Sequence, residues 1–495
     1  MADRWILWGI VALYVVFIFV KGVRQAKEIG DADDFLVAGR NVGWFFLFCT
    51  MGATVVGGGA SIGAIGRTYD WGILMLLVST GWYLQLIFSG LFVAPKFRVA
   101  RLYTVAGYFG HRFGERPRFV MLILSVLFSV FVVAAQMAAF GSVLSAIVGD
   151  QGVGQQVLTW SIVIGGSLVV IYSTAGGLLA VIQTDVYQFI ILISGFAITL
   201  VACVPDILHS WSGIASAIPQ SFFSPEGGKG WVFLVTTFLA FLLGETFAPG
   251  YVTRFCVGKN IKETRLGIVG VGFFLALVFP AVLFFIALYA KVHFPNLEPQ
   301  QALPMVVQQL NNPVVAGLMV GALLMAVMSS ADSALNSATA IFVKDLFEHQ
   351  LGWQDTGDGR ILRLSRTCSA VLGIASILIA VTWPDIIGLL LFTYHVWAPA
   401  VILPICVGVF SRNRSAGQTR NIFIAMVSAT ALTLLYRLLP FLNSRFGWAI
   451  FAERWYRGMA QLDASVFGVA VSCVVYGSLW LLSRSWRPAS STAHR

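Results

Sequence analysis

Thirteen apolar runs of about 18 residues or more dominate this chain, and they leave it few ways to fold. They lie near residues 5–22, 43–66, 71–94, 119–147, 156–174, 178–205, 231–253, 266–290, 313–343, 362–382, 384–410, 421–440 and 464–483. A hydrocarbon layer about 30 Å thick needs about 20 helical residues at 1.5 Å rise to cross it. Inside that layer backbone groups find no water, so helices are the economical way to satisfy them. The chain therefore reads as an all-α polytopic membrane protein with thirteen transmembrane helices. Composition agrees: 58% of residues are hydrophobic and 11% are charged, a balance foreign to soluble domains. The first run follows Met-Ala-Asp-Arg without an A-x-A-like cleavage site, and is expected to be retained as a span.

Charge sets the expected orientation. Twenty-four of the 32 lysines and arginines fall in segments that share one side if the N-terminus is outside. The positive-inside rule then gives N-out and C-in, which requires an odd number of spans. The same asymmetry accounts for the net charge of +10 as basic loops beside anionic lipid, with no need for a nucleic-acid partner. Six cysteines lie in or beside apolar runs without paired spacing, and read as small buried hydrophobes. No G-x-x-x-x-G-K-[ST] motif is present, so the chain carries no nucleotide motor. No nucleophile–base pair or metal cluster suggests an enzyme, and no cofactor is expected.

Two runs are interrupted. The second, "CTMGATVVGGGASIGAIG", has Gly57, Gly58 and Gly59 at its middle; the seventh, "AFLLGETFAPGYVTRF", carries Pro249-Gly250. Broken helices of this kind form the binding sites of transporters built from inverted repeats. The seventh span comes five after the second, an odd offset, so the two helices run in opposite directions. A five-plus-five inverted repeat follows, within one transmembrane domain over 1–495. Residues 1–42 form a peripheral span and loop, 43–205 the first repeat, 231–410 the second, and 411–495 two peripheral spans.

The ninth run holds a polar stripe, "MSSADSALNS". Ser329, Asp332, Ser333 and Asn336 recur at three- and four-residue steps, so they share a helical face that should avoid lipid. An aspartate at mid-membrane costs about 2.5–3.5 kcal/mol on insertion scales, and oxygen ligands for a hard cation are one return on that cost. Asp185 in the sixth run is a second acid in the same bundle. Glu245 and His395 are further ionisable groups inside runs, and read as structural.

Five segments together resemble the sodium:solute symporter family: "DDFLVAGR" (33–40), "GGGASIGAIGRTYDWG" (57–72), "YTVAGYFGHRF" (103–113), "AGGLLAVIQTDVYQF" (175–189) and "AVMSSADSALNSATAIFVKDLF" (326–347). The resemblance implies the leucine-transporter fold, a bacterial inner-membrane location and sodium as the coupling ion. It implies a shared sodium site at Ala53, Val56, Ala326, Ser329 and Ser330, and a second cation site at Asp185, Ser329, Asp332 and Ser333. It implies a coupling role for Arg40 in a cytoplasmic loop. The substrate pocket falls at Gly57, Gly58, Gly59, Trp82, Ala248 and Pro249. The motifs come closest to the choline-transporter-like branch, but its aromatic cage is missing: Val55, Val132 and Ala248 stand at the matching positions and only Trp82 is aromatic. The expected partners are therefore sodium, lipid and a small solute such as an amino acid or monocarboxylate, with the glycine break offering amides to a carboxylate. A monomer is expected. The alternatives are a membrane sensor of the same fold, which the short tail after the last span disfavours, or an uncoupled or proton-coupled carrier.

Overall fold

The computed structural model describes residues 5–13, 16–17, 20, 40–100, 102, 104–148, 155–353, 358–411, 415–446 and 462–485. The first expected span and most of the 33–40 motif thus lie wholly or partly outside the described residues.

Among the described residues the chain is almost entirely helical. The main elements are α1 (Trp44–Val55), α2 (Gly59–Trp71), α3 (Ile73–Val99), α4 (Val105–Phe113), α5 (Glu115–Val148), α6 (Gln155–His209), α7 (Trp231–Gly244) and α8 (Pro249–Val257). They continue as α9 (Ile261–His293), α10 (Ala302–Leu310), α11 (Pro313–Ala340), α12 (Asp358–Thr382), α13 (Ile386–Phe410), α14 (Ala416–Phe446) and α15 (Ala464–Ser485). Nine helices are long and apolar enough to cross a membrane, or eleven when each of two bent pairs counts as one span. Side-chain caps start several of them. Asn312 Oδ1 accepts the Val314 and Val315 amides at 3.1 and 3.0 Å at the head of α11. Asp385 Oδ1 accepts the Gly388 amide at 3.1 Å at the head of α13. Each cap satisfies amides that a helix start leaves without a partner.

The two bent pairs are those marked by the glycine and proline breaks. α1 and α2 meet at 58°, and α7 and α8 at 47°. They run in opposite directions. Val42, just before α1, pairs with the chain just after α8: its amide donates to Val257 O at 3.1 Å, and its carbonyl accepts the Lys259 amide at 2.8 Å. The start of one broken helix therefore sits at the end of the other.

One expectation is redrawn. Spans 156–174 and 178–205 are continuous in helical assignment as α6, 55 residues long. A straight helix of that length would reach about 80 Å, far beyond one bilayer. Yet Gln155 shares a cavity with Pro299 and Gln300, and Asp206 near the other end pairs with His293 at 2.9 Å. Pro299 follows His293 by only six positions. The halves of α6 thus double back, as two spans do, without the loop that the sequence suggests.

The core sits where α11 crosses the broken helices. Every residue from Met319 to Ala340 is buried, against α1, α5 and α6. α14 and α15 pack on α13 at the periphery. His395 belongs to that seam, between Asp463 (3.3 Å) and Arg437, in keeping with a structural role.

Candidate functional site

The site grows from the break after α1. α1 ends at Val55, and Val56 leaves helical geometry at φ −85°, ψ 47°. Glycine is needed here for close approach. A Cβ on Gly57 would lie 2.3 Å from Ser330 Oγ, and one on Gly58 would lie 2.2 Å from Ala139 Cβ. The bare backbone lets α11 press against the break. There Ser330 Oγ lies 3.3 Å from Ala53 O, 3.0 Å from Thr54 O and 3.1 Å from Ala326 O. Ser329 Oγ lies 3.5 Å from Ala53 O and 3.0 Å from Ala326 O. Four of the five residues expected at the shared sodium site thus converge: Ala53, Ala326, Ser329 and Ser330. Val56 is the first residue beyond the helix end. Carbonyl and hydroxyl oxygens from two helices, with no charged member, are the donor set a small hard cation takes.

One turn along α11, the chemistry changes. Asp185 and Arg254 form a fully buried ion pair at 3.2 Å, with both side chains at 0% exposure. Arg254 Nη2 also donates to Ser333 Oγ at 2.7 Å, Nη1 to Gly250 O at 3.1 Å and Nε to Thr50 Oγ1 at 3.1 Å. Thr50 Oγ1 in turn donates to Asp185 Oδ2 at 2.5 Å. Charge and position in sequence count Arg254 among the cytoplasmic loop cations, but its guanidinium is instead locked inside the bundle. Asp332 Oδ1 accepts from Ser173, while its Oδ2 is buried without a protein hydrogen bond. Of the residues expected to hold a second cation, Asp185 and Ser333 meet at the guanidinium. Ser329 Oγ turns instead to Ala53 O and Ala326 O, and Asp332 bonds Ser173.

Between the two breaks lies a small cavity of about 50 Å³, tighter than the usual small-molecule site. Gly59, Trp82 and Ala248 line it, as expected of the substrate pocket; Gly57, Gly58 and Pro249 do not. The Gly58 amide is already taken by Gln136 Oε1 at 2.8 Å, so it is not offered to a carboxylate. Three lining residues escape a reading by matched positions: Phe128, Tyr251 and Glu245. Phe128 is four residues before Val132, and Tyr251 three after Ala248. Each therefore lies one helical turn along the same face as the aliphatic residue in the expected cage position. The periodicity that reveals the polar stripe also reveals them.

Glu245 closes α7, where the chain turns sharply: the Ala248 amide donates to Glu245 O at 2.9 Å, and Phe247 takes φ +64°. A bulky residue in left-handed geometry is strained, a condition that concentrates at functional sites. Tyr394 OH donates to Glu245 Oε1 at 2.8 Å, and Tyr251 OH donates to Oε2. Trp82 Nε1 donates to Tyr394 OH at 2.8 Å. The carboxylate is thus aimed by two phenols, one of them held by an indole, at the edge of the cavity. Arg40 stands just before α1 at φ +56°.

Comparison with known proteins agrees with this arrangement. The family model for the sodium:solute symporter family matches residues 35–418. The high-affinity choline transporter 1 of Caenorhabditis elegans is 27% identical over 463 residues, covering 86% of this chain and 77% of the relative. The high-affinity proline transporter PutP of Bacillus subtilis is 25% identical over 396 residues, covering 76% and 80%. Among solved structures, a substrate-bound, outward-open Na+-coupled sialic acid symporter aligns with a TM-score of 0.75 at 21% identity, over 99% of both chains. A nucleobase-cation-symport-1 family transporter, Mhp1, aligns at 0.52 with 14% identity. These likenesses show the fold. The relatives are transporters, not enzymes. The chain belongs to the sodium:solute symporter family, and is an integral membrane protein of sodium-coupled small-solute symport.

Proposed function

We propose that one sodium ion is carried at the oxygen cluster of Ala53, Val56, Ala326, Ser329 and Ser330, and that it moves a small organic solute into the cell by alternating access. The single observation that carries this reading is the convergence of the Ser329 and Ser330 hydroxyls on the Ala53 carbonyl across the α1 break. The cavity beside it shares Ser330 as a wall, so ion and solute meet at one residue. The solute is an amino acid, a monocarboxylate or a similar compound. The broken helices belong to two inverted five-helix repeats at 43–205 and 231–410, with 1–42 and 411–495 peripheral. Counting the first apolar run and the first half of α6 brings the crossings to thirteen, with the N-terminus outside and the C-terminus in the cytoplasm of a bacterial cell. Arg40 acts in coupling from the cytoplasmic side. The protein acts as a monomer.

A second reading adds another monovalent cation at Asp185, Ser329, Asp332 and Ser333. One observation favours it. The two acids together outnumber Arg254 by one charge, and each has a buried carboxylate oxygen without a protein hydrogen bond.

Energetics set the expected transport. One charge crossing about 100 mV contributes roughly 2.3 kcal/mol, and a tenfold sodium gradient adds about 1.4 kcal/mol. One sodium then supports roughly 500-fold accumulation of a neutral solute. The test is solute-induced current and labelled uptake in proteoliposomes under an inward sodium gradient. Concentrative, current-carrying uptake supports the reading. Uptake that only equilibrates, and ignores sodium and voltage, overturns it.

A further inference from the structure

The cavity wall contains a carboxylate that neither the sodium cluster nor the Asp185–Arg254 pair uses. We propose that Glu245 is the substrate anchor and that the transported solute carries a positively charged ammonium group, which docks on this carboxylate among the aromatic side chains of Trp82, Phe128 and Tyr251. This rests on the reading of the cavity as the substrate site and narrows its substrate class.

Four observations converge. First, Glu245 has no ion-pair partner among the described residues. The buried cation of α8, Arg254, is engaged by Asp185, Ser333, Thr50 and Gly250. An acid at membrane depth is normally paired, and here the open side is the cavity. Second, each carboxylate oxygen accepts one phenol hydrogen bond. A carboxylate accepts about four, so an acceptor site stays open on each oxygen for ammonium N–H groups. Third, Glu245 caps the C-terminal end of α7, where the helix dipole adds negative potential. Fourth, Trp82, Phe128 and Tyr251 line the same cavity, and aromatic faces attract ammonium ions. The orientation of Glu245 is fixed before any solute arrives, because Tyr394 is tied in turn to Trp82.

This assigns selectivity to charge and not to a full aromatic cage. A sugar or simple carboxylate brings no cation to Glu245, whereas an amino acid or an amino alcohol does.

The experiment is a thermal-shift titration of the full-length purified protein in saturating sodium. The probes are L-proline, ethanolamine and choline, each beside an analogue in which carbon replaces the charged nitrogen. At least one ammonium compound is expected to raise Tm, while its carbon analogue does not. Glu245→Gln should weaken that compound by about tenfold or more, the effect of losing a charge-assisted contact. Glu245→Asp, which keeps the charge, should retain the preference for the ammonium member over its analogue. Absence of a shift with every ammonium compound, equal shifts from the carbon analogues, or an unchanged affinity in Glu245→Gln overturns the proposal. The sodium reading is separable. Sodium alone stabilises wild type and Glu245→Gln equally if the shared cluster holds the ion, and loss of that response in wild type strikes the sodium site and not the anchor.

Discussion

Two polar islands lie one turn apart on α11, and they solve the same problem differently. Around Ser329 and Ser330 there is no charged ligand: carbonyls of Ala53, Thr54 and Ala326 meet two hydroxyls. Around Ser333 there are two acids and a built-in cation, with Arg254 bonded to Asp185 and Ser333. The first island is complete only in dipoles, so a small cation gains ligands there without displacing one. The second already contains its counter-charge. Buried ion pairs add little stability relative to apolar packing, but losing one partner is severe. On the proposed reading the uncharged island is the exchangeable one, while the Arg254 bonds of the charged island tie α1, α6, α8 and α11 together.

The most damaging change expected is therefore Arg254→Ala, which strands Asp185 in the bundle. A loss of roughly 3–5 kcal/mol follows from removing one partner of a buried pair. Denaturant or thermal unfolding of the purified protein measures it. Replacing both partners by apolar residues should recover most of the loss, and a single mutant as stable as wild type breaks the comparison. Gly57→Ala comes next. It pushes a methyl group into Ser330 Oγ, with overpacking of about 1–3 kcal/mol, and should reduce the sodium-dependent stabilisation as the two helices part. Asp332→Asn sharpens the question of ion number. With one sodium at the shared cluster, the steepness of the sodium dependence of uptake stays the same. A steeper wild-type curve that flattens in the mutant moves the account to two ions. The smallest effect belongs to Arg67→Ala, at the cavity it shares with Asp385 and Pro299. The Arg67–Asp385 pair, at 2.9 Å, has side-chain exposures of 28% and 37%, and half-exposed pairs contribute about 0–1 kcal/mol. A loss as large as that of Arg254→Ala would show that burial is not what separates the pairs.

Much of this was legible in the sequence, and what was not has physical reasons. Three consecutive glycines announced the first break, because only residues without Cβ permit the approach of Ser330. The second break was placed at Pro249-Gly250, yet the strained residue is Phe247 at φ +64°. No local propensity marks a phenylalanine for that geometry; packing imposes it. Arg254 read as a loop cation because hydropathy counts residues, not partners. Its burial depends on Asp185, 69 positions away, a pairing that no local window contains. The hydropathy pattern divides α6 into two spans, whereas "STAGGLLAVIQ" between them stays helical. Glu245 reads as structural in the sequence because nothing else in its segment supports a role; its partners, Tyr251 and Tyr394, sit on other helices.

The central claim is that the uncharged island holds the coupling ion. The direct measurement is the sodium titration of Tm for wild type and for Ser329→Ala/Ser330→Ala, with potassium chloride holding ionic strength constant. Binding at about 100 times the dissociation constant stabilises the folded state by about 2.7 kcal/mol, so the wild-type shift should be saturable and specific to sodium. The double mutant, which removes two hydroxyl ligands and no charge, should lose most of that shift while the Asp185–Arg254 pair keeps it folded. A double mutant whose sodium response matches wild type would contradict the account.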